Sequence, residues 1–293
     1  MAMLEDLICR RLCENEQLTK MLAKHNGKPA VFFQTAPGDV SIGWSQRRQY
    51  PRITCIVDMQ ADAERKTSGQ LTVNIWCCEN KVAPEDIEPI VREIFCGIFL
   101  TPKEKETYSI AWARSDPFEV QEAQTGQKTQ VIGTSVAFDI FAFPQQVTSD
   151  PDPVLAINEY TRRLCPDCKI IGYDRLPEEY TPTANAPAFY WRFGSMGVDK
   201  VSWAVSWVVG ILGGHIFAPT TEDRLKWLKF IAQQMAVDEE AIMLDNSPMF
   251  FTGLKADSTA DHLRNGQIQL RVKYGILRKR EQAIHPLLNP EIK

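Results

Sequence analysis

Pro29-Ala30-Val31-Phe32-Phe33-Gln34 and Pro187-Ala188-Phe189-Tyr190-Trp191-Arg192 read as two openings of one kind, each a proline followed by an apolar run of short-strand length. The echo continues downstream. Val82-Ala83-Pro84 stands at one helix start and Phe217-Ala218-Pro219 at another, where proline gives up only an amide that lacks an intrahelical partner anyway. Phe138 and Ile140 in one closing strand answer to Val272 and Tyr274 in another. The chain therefore reads as a duplication. The opening strands lie further apart than the helix starts by about 23 residues, a surplus that the spacing assigns to the first copy, between its opening strand and its helix.

Working outward, Leu71, Val73 and Ile75 alternate with Thr72, Asn74 and Trp76, and Ile53, Cys55 and Val57 alternate in the same way, so two strands each bury one face. Leu4, Leu7, Ile8 and Leu12 recur at helical spacing near the start. A second helix carries Ile87, Ile90, Val91, Ile94 and Phe95 on one face, with Glu85 and Asp86 near its positive end and Gly97 at its exit. Strands from Tyr108 to Ala113 and from Ile132 to Phe143 are expected to close the first unit across a polar loop, Glu119 to Gln130. Asp150-Pro151-Asp152-Pro153 supplies a boundary and a capped helix start together. In the second unit Trp203, Val205, Trp207, Val209 and Ile211 share one strand face, and their alternation favours core packing of both tryptophans. Leu225, Leu228, Ile231 and Met235 mark its helix, and Ile268, Leu270, Val272 and Tyr274 its closing strand. The expectation is an α+β fold of two tandem, diverged copies of a small antiparallel sheet covered on one face by helices. The first spans 1–149 and includes an extra β-hairpin excursion; the second spans 150–293 and includes a C-terminal tail.

Apolar residues make up 44% of the chain and charged residues 24%, the balance of a globular protein, and a net charge of −4 leaves no electrostatic footprint for specific nucleic-acid recognition. No apolar stretch is long enough to span a membrane as a helix. The start, Met-Ala-Met-Leu-Glu-Asp, has neither a basic nor an apolar leader segment, so folding in a reducing cytoplasm is expected, with the eight cysteines as free thiols.

Signals for catalysis are weak. Cys165-Pro166-Asp167-Cys168 admits a redox dithiol or half a zinc site, but it follows a helix C-terminus, the wrong pole for a thiolate, and His25, His215, His262 and His285 are unpaired in sequence. A structural role for both thiols is preferred; a thiol or zinc enzyme is the distant alternative. Gly194-Ser195-Met196-Gly197 lacks the order of a nucleophile elbow and reads as a turn between strands. Gly210-Ile211-Leu212-Gly213-Gly214-His215 lacks the lysine of a P-loop and reads as a bend or bulge at a strand end. No catalytic, cofactor-binding or metal-binding residues are assigned, and no cofactor is expected.

The excursion of the first copy is more informative. It and the strand after it carry Trp44, Arg47, Arg48, Tyr50 and Arg52, the residue types that concentrate at interface hot spots, and these five are the candidate assembly interface; composition alone fits a mobile solvent loop equally well. Arg278-Lys279-Arg280 and the tail to Lys293 are a weaker docking candidate.

Tyr50-Pro51-Arg52-Ile53, the phrase from Asp58 through Gly69 that leads into Leu71–Trp76, and the closing Phe138-Asp139-Ile140-Phe141-Ala142-Phe143 resemble the tail terminator, or tail-completion, proteins of tailed bacteriophages. The resemblance covers residues 1–147; the second copy keeps the architecture without the Tyr-Pro-Arg-Ile phrase. It implies a structural virion protein, assembled in the host bacterial cytoplasm, that forms a ring at the head-proximal end of the tail. Such a ring ends tube growth and joins tail to neck. Its implied partners are itself, the tail tube protein and a head-side neck or connector protein. Because only the first copy is read as carrying the excursion, a ring of six chains, a hexamer, is expected. Another neck or tail-tube component is the alternative.

Overall fold

The structure of the protein, a computed structural model, describes residues 3–38, 41–44, 49–60, 67–78, 82–104, 106–124 and 127–278. Its first half contains helices α1 (Leu4–Glu14) and α2 (Glu16–Met21) and a two-stranded hairpin, β1 (Lys24–His25) with β2 (Lys28–Pro29). There follow β3 (Val31–Phe33), β4 (Arg52–Met59), β5 (Gly69–Cys78), helix α3 (Pro84–Ile94), β6 (Phe99–Lys103), β7 (Glu106–Gln124) and β8 (Gln127–Ala142). The second half contains helix α4 (Pro153–Leu164), β9 (Lys169–Ile170), β10 (Glu179–Tyr180), β11 (Ala188–Val201) and β12 (Val205–Phe217), then helix α5 (Thr221–Asp238), β13 (Glu240–Ile242), β14 (Pro248–Ala256) and β15 (Ile268–Leu277).

Besides the β1-β2 hairpin, the described strands form two large sheets, ordered β10-β6-β7-β8-β5-β4-β3 and β13-β14-β15-β12-β11-β9. Without β10 they have one plan. In each, the first strand runs parallel to the second, β3 on β4 and β9 on β11, and the other neighbours are antiparallel. Helix α1 packs on β3 and β6 as α4 packs on β9 and β13, while α3 and α5 cover β5 and β12.

The correspondence between the halves differs from the one the opening phrases suggest. The counterpart of β3 is the short β9, and Ala188 to Arg192 begins the counterpart of β4. Both openings are apolar runs after a proline, but alternation carries no information about a strand's direction or neighbours. With the strands matched by topology, residues 34–51 join β3 to β4 and residues 171–187 join β9 to β11. The surplus of the first copy disappears, and with it the ground for treating its excursion as unique.

The long hairpins occupy different places in the two copies. In the first, β7 and β8 stay paired out to Gln124 opposite Gln127, so Glu119 to Gln124 and Gln127 to Gln130 are strand rather than loop. In the second, β11 and β12 form the long pair, and bulges between Phe193 and Ser195 and between Val198 and Lys200 let β11 keep twisting. Gly194 to Gly197 therefore lies inside a strand rather than in a turn. Trp203 sits at the hairpin tip, 75% exposed, and the core face of β12 is Val208, Leu212 and Ile216, not the tryptophan face. Both faces of this strand are apolar, so the alternation could not say which one would be covered.

Each copy has its own core. Leu7, Ile8 and Leu12 of α1 meet Ile53, Leu71, Val73 and Ile75, the α3 residues Ile87 and Val91, and Phe95 just past the end of α3. In the second, Ile157, Trp191, Leu212, Ile231, Leu270 and Val272 do the same. Asp152 caps α4 by accepting from the amides of Val154 and Leu155 at 2.8 and 3.0 Å. Gly214 is present because of Trp191: a Cβ there would lie 2.5 Å from the indole, which donates at 3.0 Å to Thr161 on α4. β12 continues through Gly213 and Gly214 in unbroken register with β15, so Gly214 makes room for a ring and neither glycine marks a bulge in this pairing.

Gly214→Ala is expected to lower the unfolding free energy by about 1–3 kcal/mol through overpacking. Gly197→Ala, where nothing lies within 4 Å of the added methyl, should change it by about 0.5 kcal/mol or less. Urea unfolding of the two variants checks both.

Candidate assembly interface

The connection 34–51 folds back on its own copy where it is described. The Asn26 amide donates to the Gly43 carbonyl at 2.8 Å, and the Trp44 ring meets His25 and Phe32 edge-on, with centroids 4.9 and 5.7 Å away. The Trp44 indole donates to the Gly38 carbonyl at 3.3 Å. Gly43 has φ +139°, and a Cβ there would fall 2.5 Å from the Asn26 side chain, so both the dihedral and the space select glycine.

Of the five candidate residues, Trp44 is half-buried in this aromatic triad. Tyr50 and Arg52 are buried: the Arg52 guanidinium lies 4.7 Å from the Tyr50 ring and 5.6 Å from that of Trp76, its cross-strand partner on β5. They anchor the root of the connection and do not present a surface. Arg47 and Arg48 lie outside the described residues, as do residues 61–66 of the phrase after Asp58, and Lys279, Arg280 and the tail.

The counterpart connection, 171–187, shows what such a segment can do. Its β10 adds to the edge of the first sheet, Glu179 opposite Leu100 and Tyr180 opposite Phe99, and the Thr101 amide donates to the Glu178 carbonyl at 2.8 Å. Arg10 of α1 reaches Glu178 at 2.7 Å, and Arg11 pairs with Glu179 while also donating to the Ile94 carbonyl at the end of α3. Sequence reasoning missed this contact because two residues in a Pro- and Thr-rich segment carry no periodicity; Leu176 and Tyr180 were the apolar signals available.

Behind β10 the two copies share a core of Phe99, Phe141, Phe143, Tyr190 and Phe217. Phe143 is its hub, edge-on to Tyr190 at 5.1 Å, Phe217 at 5.2 Å and Phe99 at 5.9 Å. Arg264 of the second copy pairs with Asp139 of the first at 2.6 Å. His215 is enclosed beside these rings, its Nδ1 2.7 Å from the His262 carbonyl, and burial pushes its pKa down to about 4. Burial lowers His262 to about 4 as well. A groove of about 710 Å³ runs between α3 and the start of α5, lined by Phe95, Phe99, Trp112, Phe217, Arg92 and Arg224. The Arg92 guanidinium lies 3.8 Å from the Trp112 ring, so the groove offers aromatic and cationic contacts.

Cys165 and Cys168 are buried in the second core, and burial raises both thiols, Cys168 to about 12. Thiols held in that form are poor nucleophiles. Among the described residues no cluster of three or more His, Cys, Asp or Glu side chains could hold a metal ion. No protein-family model, curated protein or solved structure matches the chain.

The junction histidines set a pH dependence. Their folded pKa values lie below the ordinary 6.5, so between about pH 6.5 and 4 the unfolded chain binds protons that the folded chain refuses, and stability falls as the pH is lowered through that window. His215→Gln is expected to remove about 2 kcal/mol of this pH dependence, read from urea unfolding at pH 7 and pH 4.5.

Proposed function

We propose that this protein is a ring-forming structural component of a tailed bacteriophage, seated at the head-proximal end of the tail, where it ends tube growth and joins tail to neck. One observation carries the reading: the chain already assembles two copies of one unit by laying a connecting segment of the second on the sheet edge of the first. Strand addition of this kind supplies main-chain hydrogen bonds and extends readily from copy to copy. The resemblance of residues 1–147 to tail terminator proteins supplies the biological setting. The Tyr-Pro-Arg-Ile phrase in it has a physical role, since Tyr50 and Arg52 are stacked beneath the start of β4. Partners under this reading are further copies of the chain, the tail tube protein and a head-side connector.

The test adds purified protein to polymerising tail tube protein and measures tube length by electron microscopy. Shortened tubes, each carrying a ring at one end, are expected; unchanged lengths would falsify the terminator reading. If the protein polymerises alone into tubes, the alternative reading, a tube component, replaces it. Replacing residues 38–48 by a short Gly/Ser linker should leave the chain folded, because both cores lie outside that segment, and abolish capping. Cys165→Ala with Cys168→Ala should assemble and cap as the parent does and contain no zinc; about one zinc per parent chain, lost in the variant, would revive the metal alternative.

A further inference from the structure

The outer edge of the second sheet is β13, the counterpart of β6. Their registers match: Leu100 pairs with Tyr108 on β7 as Ala241 pairs with Met249 on β14, so Phe99 and Thr101 correspond to Glu240 and Ile242. On β6 those two positions receive β10. On β13, Glu239 accepts from the Phe251 amide at 2.7 Å and Met243 donates to the Ser247 carbonyl at 2.9 Å, and the alternation of an antiparallel ladder then turns the peptide groups of Glu240 and Ile242 outward. Among the described residues no strand covers them. Ile242 is 49% exposed and Leu244 beyond it 67%.

The charges at the two edges are inverted as pairs. In the first copy the receiving helix offers Arg10 and Arg11, and the incoming connection brings Glu178 and Glu179. In the second copy the position of Arg11 is held by Tyr160, whose hydroxyl bonds Asp238 at the end of α5 as Arg11 bonds Ile94 at the end of α3. The position of Arg10 is then Glu159, which accepts from the Tyr173 hydroxyl at 2.9 Å, and it is Glu239 and Glu240 that stand exposed at the edge. This acidic edge calls for a basic connection. The equivalent connection of the first copy, 34–51, contains Arg47 and Arg48, and also Ile42, which is 98% exposed.

We propose that the β13 edge is the docking site for the 34–51 connection of a second copy of this chain, repeating between chains the contact that β10 makes within one. The relation is heterologous, each chain giving a connection to one neighbour and an edge to the other, as a closed ring requires. It rests on the reading of the protein as its own assembly partner and is independent of its place in a phage tail.

The test uses two full-length variants, Glu239→Lys/Glu240→Lys at the edge and Arg47→Glu/Arg48→Glu in the connection, weighed by mass photometry. The parent is expected to form oligomers, and each variant alone to fall to the 33.3 kDa monomer. Mixed in equal amounts, the variants should regain the parent's oligomers, because each reversed edge then meets a reversed connection. The variant carrying all four substitutions should regain them alone. A monomeric parent, a single-face variant that assembles like the parent, or a mixture that stays monomeric would overturn the proposal. Oligomers that behave as described but fail to shorten tubes would leave the contact standing and remove the terminator reading.

Discussion

The outer strand of an open sheet carries a row of peptide groups that only water or another strand can satisfy, and such an edge invites pairing. The placing of the two halves of this molecule follows from how that row is occupied. At β6 it is taken by β10, and the pairing carries Tyr180 over Phe99 and brings Glu178 and Glu179 to the arginines of α1. The aromatic core around Phe143 closes behind it. Strand pairing sets the register of this junction, and ring burial makes it durable: rings packed edge-on add to area burial about 0.5–1.5 kcal/mol per pair.

The same plan carries different loads in the two copies. The first lengthens β7 and β8 into a long polar hairpin; the second lengthens β11 and β12, whose tip exposes Trp203 and whose outer side exposes Met196 and Val198. The lengthened pairs are not equivalent strands, so the projections leave the two sheets from different strand pairs. A duplicated unit with unlike projections can meet unlike neighbours while keeping like contacts with itself, which suits a component placed between two different structures.

Much of the local structure was legible in the sequence. Leu71, Val73 and Ile75 alternate against polar residues and are fully buried, and Asp152-Pro153 starts a helix because a carboxylate and a proline each answer a specific need of a first turn. Pairing was less legible. Val31–Phe33 and Ala188–Arg192 look alike as text, yet one is a parallel edge strand and the other begins an inner one, a difference made by contacts with residues far away in the chain. Trp203 and Trp207 were misplaced because both faces of β12 are apolar. Tyr50 and Arg52 look like interface residues and are instead buried, Arg52 lying between the Tyr50 ring and that of Trp76, a partner visible only once β4 and β5 are in register.

Because β10 and β6 belong to one chain, that contact is intramolecular and forms whatever the amount of protein in solution. Dilution cannot dissociate it. A chain of this design enters any assembly with this joint already made, so mass action governs only contacts between chains. Under the proposed function, the closing of a ring becomes a reaction of lower order than it would be for separately encoded single units.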